Sequence, residues 1–327
     1  MNKRLIAILQ GQSVLILMSL GTILTKMVLA DIAPLTYAWT TIGIGMLIMS
    51  VYTFLIRKDK IPVKLDKRIW LYIIAIGVCN FTISRLLRPI AIERLPVITN
   101  TYVGNFIGFV TMAMSIFILH EYPSIFQLLG AGIAIYGITL FFNAPLQGGE
   151  LIGILLVVVS LIAVAFTNNI ARKLALETEN KLSNNFVSTM ALLIGGTGVL
   201  IIGLLFDFPP RVPDLKSWGI VIYSALVNVA LGLTVWNHIL RTLRSYEASI
   251  MGASTIIWTT LLAILILGES LQLTQWLGMG TMVIGLMLVQ VRRGRLDILF
   301  KRRPRRRESG QSLSEITLST PSEKGQL

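Results

Sequence analysis

Ten apolar runs, each about as long as a bilayer core is thick, follow one another along this chain with only short links between them. They lie near residues 5–29, 34–56, 69–90, 95–119, 124–143, 150–171, 186–206, 217–240, 247–267 and 272–291. A helix needs roughly 20 apolar residues to cross the hydrocarbon core. Within that core the backbone must satisfy its own hydrogen bonds, which selects helices for runs of this kind. The expected fold is all-α and integral to the membrane, with ten transmembrane helices. No link is long enough for a soluble domain. The polar stretch after residue 292, "KRRPRRRESGQSLSEITLSTPSEKGQL" from 301, is expected to be a disordered basic tail.

The chain is 54% hydrophobic and 14% charged, with a mean hydropathy of +0.75, whereas a soluble domain carries about 25% charge. A formal net charge of +13 would point to nucleic acid in a soluble protein; here it is read first as topology. Ten spans return the chain to its starting side. Of the 29 Lys and Arg, 23 then share a side with the termini and six lie opposite. The bias persists without the tail, at 13 against six. Both termini are therefore expected in the cytoplasm, at a cell (inner or plasma) membrane. The basic tail is expected to meet anionic lipid, not nucleic acid. "MNKR" and "VLA" at 28–30 resemble a secretory leader, but Gln10, Gln12, Lys26 and the length of the run favour a retained span.

The residue inventory argues against an enzyme. There is no GxxxxGK[ST] phosphate loop. The single Cys79 allows neither an internal disulfide nor a cysteine metal cluster, and His120 and His238 are the only histidines. All sixteen acids fall in links, tails or span ends. No cofactor and no metal are expected. His238, the only histidine within a span, is either an interfacial residue or a proton-coupling group.

A repeat runs through the sequence. "ILHEYPSIFQLLGAGIAIYG" at 118–137 has the layout of "ILGESLQLTQWLGMGTMVIG" at 266–285. Shifting residues 116–137 by 148 gives nine identities in 22 positions without a gap, among them Glu121 with Glu269, Gln127 with Gln275, and Gly130, Gly132 and Gly137 with Gly278, Gly280 and Gly285. Five spans per half is an odd number, so the second copy enters the membrane from the opposite face, as in many secondary transporters. The expected divisions are residues 1–145, 146–292 and the tail 293–327. Each Glu is expected to sit at the start of the following helix, against its positive dipole end. The glycines are expected to allow close helix approach.

Ten spans in two inverted five-helix repeats, each closing on an E…Q.LG.G….G pattern, resemble the drug/metabolite transporter superfamily in its EamA branch, over roughly residues 5–292. That resemblance implies export or exchange of small metabolites, amino acids among them.

Candidate binding residues are polar groups near mid-span, where polarity is unfavourable without a partner or a wet cavity. Asn80 and Asn228 are repeat mates at the same 148-residue shift. They either line a central cavity or tie helices together. Gln12, Asn105, Asn168, Trp236 and Trp258 are further cavity candidates. Arg85 and Arg88, one turn apart, either snorkel to headgroups or form a gate or a contact for a substrate carboxylate or phosphate. The expected activity is alternating-access transport, with export favoured, of a small polar or amphiphilic metabolite. An exchanger of sugar nucleotides or phosphate esters, using Lys26, Arg85 and Arg88, is the second reading; a non-transporting scaffold is the third. The expected partners are a small-molecule substrate and the lipid bilayer, with no nucleic acid; the sequence leaves the oligomeric state open.

Overall fold

The computed structural model describes residues 3–59, 65–143, 148–179, 182–232, 252 and 254–289. Two units are distinguished, Met1–Val291 and Arg292–Leu327; the second lies outside the described residues. Among the described residues there is no strand. The helical segments are α1 Lys3–Val28, α2 Pro34–Ile56, α3 Lys67–Arg94, α4 Val97–Ile118, α5 Ile125–Phe141, α6 Gly148–Glu177, α7 Asn184–Phe206, α8 Leu215–Leu231, α9 Thr255–Leu267 and α10 Leu273–Val289. Six of these, α1–α4, α6 and α7, are long and apolar enough to cross a membrane. The described parts of α5, α8, α9 and α10 are shorter apolar helices.

Local sequence accounts for several boundaries. Pro34 opens α2, where its missing N–H is not needed. Ser124 caps α5 in a capping box: its Oγ accepts from the Gln127 amide, and Gln127 Oε1 accepts from the Ser124 amide at 2.8 Å. At the repeat position Gln275 Oε1 accepts from the Gln272 amide at 2.9 Å. The repeated Gln is thus the side chain that turns back onto the start of its own helix.

The repeated Glu does something else, which corrects the expected helix-start role. Glu121 precedes the capping residue and instead accepts from Arg172 Nη2 of α6 at 2.6 Å. Glu269 caps a helix of the other half: Oε1 accepts from the Val97 amide at 2.6 Å and Oε2 from the Ile98 amide at 3.0 Å. Both amides are unpaired donors of the first turn of α4, so the carboxylate meets the positive end of that helix. Directly before it, Lys26 Nζ donates to the carbonyls of Ile92, Glu93 and Leu95 at 2.8, 2.9 and 2.9 Å, closing the end of α3. The corner at Leu95–Pro96 is held from one side by a cation and from the other by an anion. Each closing Glu therefore reaches across to the opposite half of the chain.

The glycines explain how α5 and α10 meet. A Cβ on Gly130 would lie 2.5 Å from the Gly285 carbonyl oxygen, and one on Gly137 would lie 2.8 Å from the Gly278 carbonyl oxygen. The pairing runs in opposite directions along the two helices, so these repeat mates pack antiparallel, as an inverted repeat requires. A Cβ on Gly132 or Gly280 would meet nothing within 4 Å, so these two glycines take no part in the contact. Tyr102 stacks on Phe141 at 3.9 Å inside this region. Its apolar core joins Leu95, Ile98 and Phe141 to Ile256, Met279 and Met282. A second core joins Ile42, Met49, Ile73 and Phe81 to Leu192 and Val199. Each core contains residues from both halves.

Candidate functional site

Four helices carry a π-helical stretch among the described residues: the ends of α2 and α9 (Val51–Ile56 and Ala263–Leu267), and two stretches within α3 and α8 that lie at matching places. In α3 the stretch Gly77–Ile83 is π-helical, and in α8 the stretch Ala225–Leu231 is π-helical. The bounds differ by 148 residues at both ends. The hydrogen bonds match as well: Ser84 donates to the Cys79 carbonyl and Gly232 to the Val227 carbonyl, each five residues back. A π turn widens the helix and leaves backbone groups open to other partners, and such turns occur often at functional sites. Asn80 lies in the first stretch and Asn228 in the second.

Each π stretch is seated on a glycine of the opposite half. A Cβ on Gly77 would be 2.7 Å from the Ala191 carbonyl oxygen and 3.1 Å from the Gly195 amide of α7, and Thr82 Oγ1 donates to the Gly195 carbonyl at 2.7 Å. On the other side, a Cβ on Gly45 of α2 would be 2.8 Å from a Val229 methyl. Close packing of small residues fixes both irregular turns in place.

Asn228 is half-buried. Its amide lies against Gly21 of α1, where a Cβ would come within 2.5 Å of Nδ2, and its Oδ1 has no hydrogen-bond partner among the described residues. The Asn228 backbone carbonyl accepts from Arg85 Nη2 at 3.3 Å. Arg85, Arg88 and Tyr37 lie within electrostatic reach of one another. Tyr37 is buried and its hydroxyl pairs with Thr25 Oγ1 at 2.6 Å. Thr41, one turn along α2 from Tyr37, and Ser224, one turn along α8 from Asn228, are buried with hydroxyls that face the Tyr37 hydroxyl but make no hydrogen bond of ordinary length among the described residues. Arg88 keeps an exposed side chain. The elements α1, α2, α3 and α8 thus bring two guanidiniums, a phenol, two hydroxyls and an amide into one region.

The other candidates divide. Gln12 and Trp258 are together: Gln12 Oε1 accepts from Trp258 Nε1 at 2.9 Å and from Ser254 Oγ at 3.0 Å. Asn105 sits at a break in α4, between Val97–Gly104 and Ile107–Ile118, and its Nδ2 donates to its own helix at the Thr101 carbonyl, 2.9 Å. The helix resumes at Ile107, and α9 begins at its repeat mate Thr255. A broken helix marks the binding region in many transporters; residue 253, the repeat mate of Asn105, lies outside the described residues. Asn168 is exposed on the helical line of the buried Val157 and Leu161, while the neighbouring Asn169 is buried and ties α6 to the Thr111 carbonyl at 3.1 Å. Lys26 uses three donors on the carbonyls of Ile92 and Glu93 in the last turn of α3 and of Leu95 just beyond it, so it is a structural cation, apart from Arg85 and Arg88. Trp236 and His238 lie outside the described residues.

Sequence reasoning missed Tyr37, Thr41 and Ser224. The available signal was a pair of i, i+4 polar positions, Tyr37 with Thr41 and Ser224 with Asn228, within apolar runs.

The sequence profile of the EamA-like transporter family matches this chain twice, over residues 5–143 and 151–291. Among curated proteins, none matches it. A solved crystal structure of another protein, 15% identical, is similar over 89% of this chain and 98% of that one, with a TM-score of 0.62; at that identity the likeness is one of fold.

Proposed function

This chain belongs to the EamA-like transporter family, and from that premise we propose that it is a secondary transporter moving a small polar metabolite by alternating access. It is a multi-pass membrane protein. Residues 1–145 and 146–292 act as two inverted five-helix halves with ten crossings in all, and both termini lie in the cytoplasm. The central site sits between the two π stretches, with Asn80 and Asn228 facing a cavity that opens to one side and then the other. The observation that carries this reading is the recurrence of the π turn, its hydrogen bond and its asparagine at one shift of 148 residues. An irregular backbone at membrane depth is tolerated where it is held by protein or lines a cavity. Export across the cell membrane follows from the family resemblance alone.

The test is transport by purified protein in liposomes, using radiolabelled amino acids, sugars, hydroxy acids and phosphate esters. Saturable movement of one class, lost in Asn228→Leu, supports the reading. Movement of none, by protein that is folded and inserted, overturns it. Deleting residues 296–327 separates the scaffold alternative, because a transporter keeps most of its activity without the tail. The exchanger alternative is favoured by Arg85 and Arg88, although Lys26 is engaged elsewhere.

A further inference from the structure

Arg85 and Arg88 form no ion pair among the described residues, where the ion pairs are Arg57 with Asp59, Arg68 with Glu177 and Arg172 with Glu121. All described carboxylates lie at helix ends or in links. Two neighbouring cations without a counter-charge repel one another, and an anion between them would relieve that repulsion. Arg85 is anchored through one nitrogen to the Asn228 carbonyl at 3.3 Å, which leaves the rest of its fork of donors unassigned. Around the pair stand Asn228 Oδ1, which has no partner among the described residues, and Thr41 Oγ1 and Ser224 Oγ, which face the Tyr37 hydroxyl without a hydrogen bond of ordinary length.

The chemistry of those atoms is selective. A guanidinium presents a planar fork that matches the oxygens of a carboxylate or phosphate. Asn228 Oδ1 only accepts, so whatever fills its place must bring an O–H or N–H. Thr41 and Ser224 can donate or accept. A substrate ammonium, by contrast, would find no carboxylate here among the described residues. Resting on the transporter reading above, we infer that the site bounded by Arg85, Arg88, Thr41, Ser224 and Asn228 binds a hydroxylated organic anion. The oxyanion lies between the guanidiniums, and a hydroxyl of the same molecule donates to Asn228 Oδ1. Amino-acid zwitterions and amines are poor ligands of this site.

The test is thermal-shift titration of the purified full chain in detergent with gluconate, glucose 6-phosphate, inorganic phosphate, glucose and serine. A saturable rise in melting temperature with gluconate or glucose 6-phosphate, and little with glucose or serine, supports the site. Which of the two anions stabilises more identifies the acid group. Arg88→Gln should weaken the better anion at least tenfold, about 1.4 kcal/mol, with Arg88→Lys intermediate because the bidentate fork is lost while the charge stays. Ligand-free Arg88→Gln should melt no lower than wild type. If Arg88→Gln fails to fold, Thr41→Val and Ser224→Ala replace it, and these should weaken the hydroxylated anions more than inorganic phosphate. No saturable shift with either hydroxylated anion, equal stabilisation by serine, or unchanged anion affinity in the folded variants overturns the proposal. Liposome transport tells the two readings apart. Anion binding without transport of any class removes the transporter and keeps the site, whereas transport of a zwitterion indifferent to Arg88→Gln removes the site and keeps the transporter.

Discussion

Gly130 and Gly285 meet reciprocally: a Cβ placed on either would come within 2.5 Å of the other's carbonyl oxygen. Their repeat mates, Gly278 and Gly137, make the corresponding contact with 2.8 Å in both directions. Helices α5 and α10 are therefore bound through two glycine pairs that exchange under the 148-residue shift. Gly130→Val should force the backbones apart and destabilise the protein by about 1–3 kcal/mol, seen as a lower melting temperature in detergent. Gly132→Val, at a position with open space beside it, should stay within roughly 0.5 kcal/mol of wild type. Equal effects at the two positions would remove the glycine seam from the account of the fold.

The two closing glutamates should respond differently, although the sequence pattern treats them alike. Glu269→Gln weakens two charge-assisted bonds to the start of α4, with an expected loss of about 1–3 kcal/mol of stability. Glu121 pairs with Arg172 where the side chains are 43% and 53% exposed, so Glu121→Gln should change stability by ~0–1 kcal/mol, and less at high salt. Melting curves of both variants at low and high ionic strength check this. Loss of transport in folded Glu121→Gln would instead give that carboxylate a part in coupling.

Asn228→Leu should leave melting temperature unchanged or slightly raised, because Oδ1 has no partner to strand among the described residues. Transport should fall at least tenfold, about 1.4 kcal/mol of lost interaction. Asn80→Leu, in the matching π stretch, should behave in the same way. A clear drop in stability with normal transport per folded molecule would make the asparagines helix ties and take both out of the site.

Orientation is open to a labelling experiment. In a Cys79→Ala background, Gly149→Cys should react with an impermeant thiol reagent on intact cells and Lys67→Cys should not. Both positions are exposed in the protein. The reverse pattern would invert the topology, and labelling of both would break the span count.

The sequence by itself determined that this chain enters a membrane as helices, and that its second half repeats the first. Run length and hydropathy carry the first conclusion, because the bilayer leaves the backbone so few alternatives. A fixed shift that preserves Glu, Gln and Gly carries the second. Asn80 and Asn228 were legible as a pair for the same reason. The partners of the repeated residues were not legible. Gln127 turned out to cap locally, which a sequence pattern can encode, but Glu269 caps a helix about 170 residues away, and no local periodicity specifies that. The π turns were equally hidden, and so was the glycine of the opposite half that packs against each of the matched pair. Arg85 and Arg88 could be read only as cations in a span. Tertiary structure alone decided that Lys26 closes α3, and that Arg85 and Arg88 lie beside Tyr37, Thr41, Ser224 and Asn228. Helix packing sets which faces meet across the two halves, and residues from four helices come together only once they do.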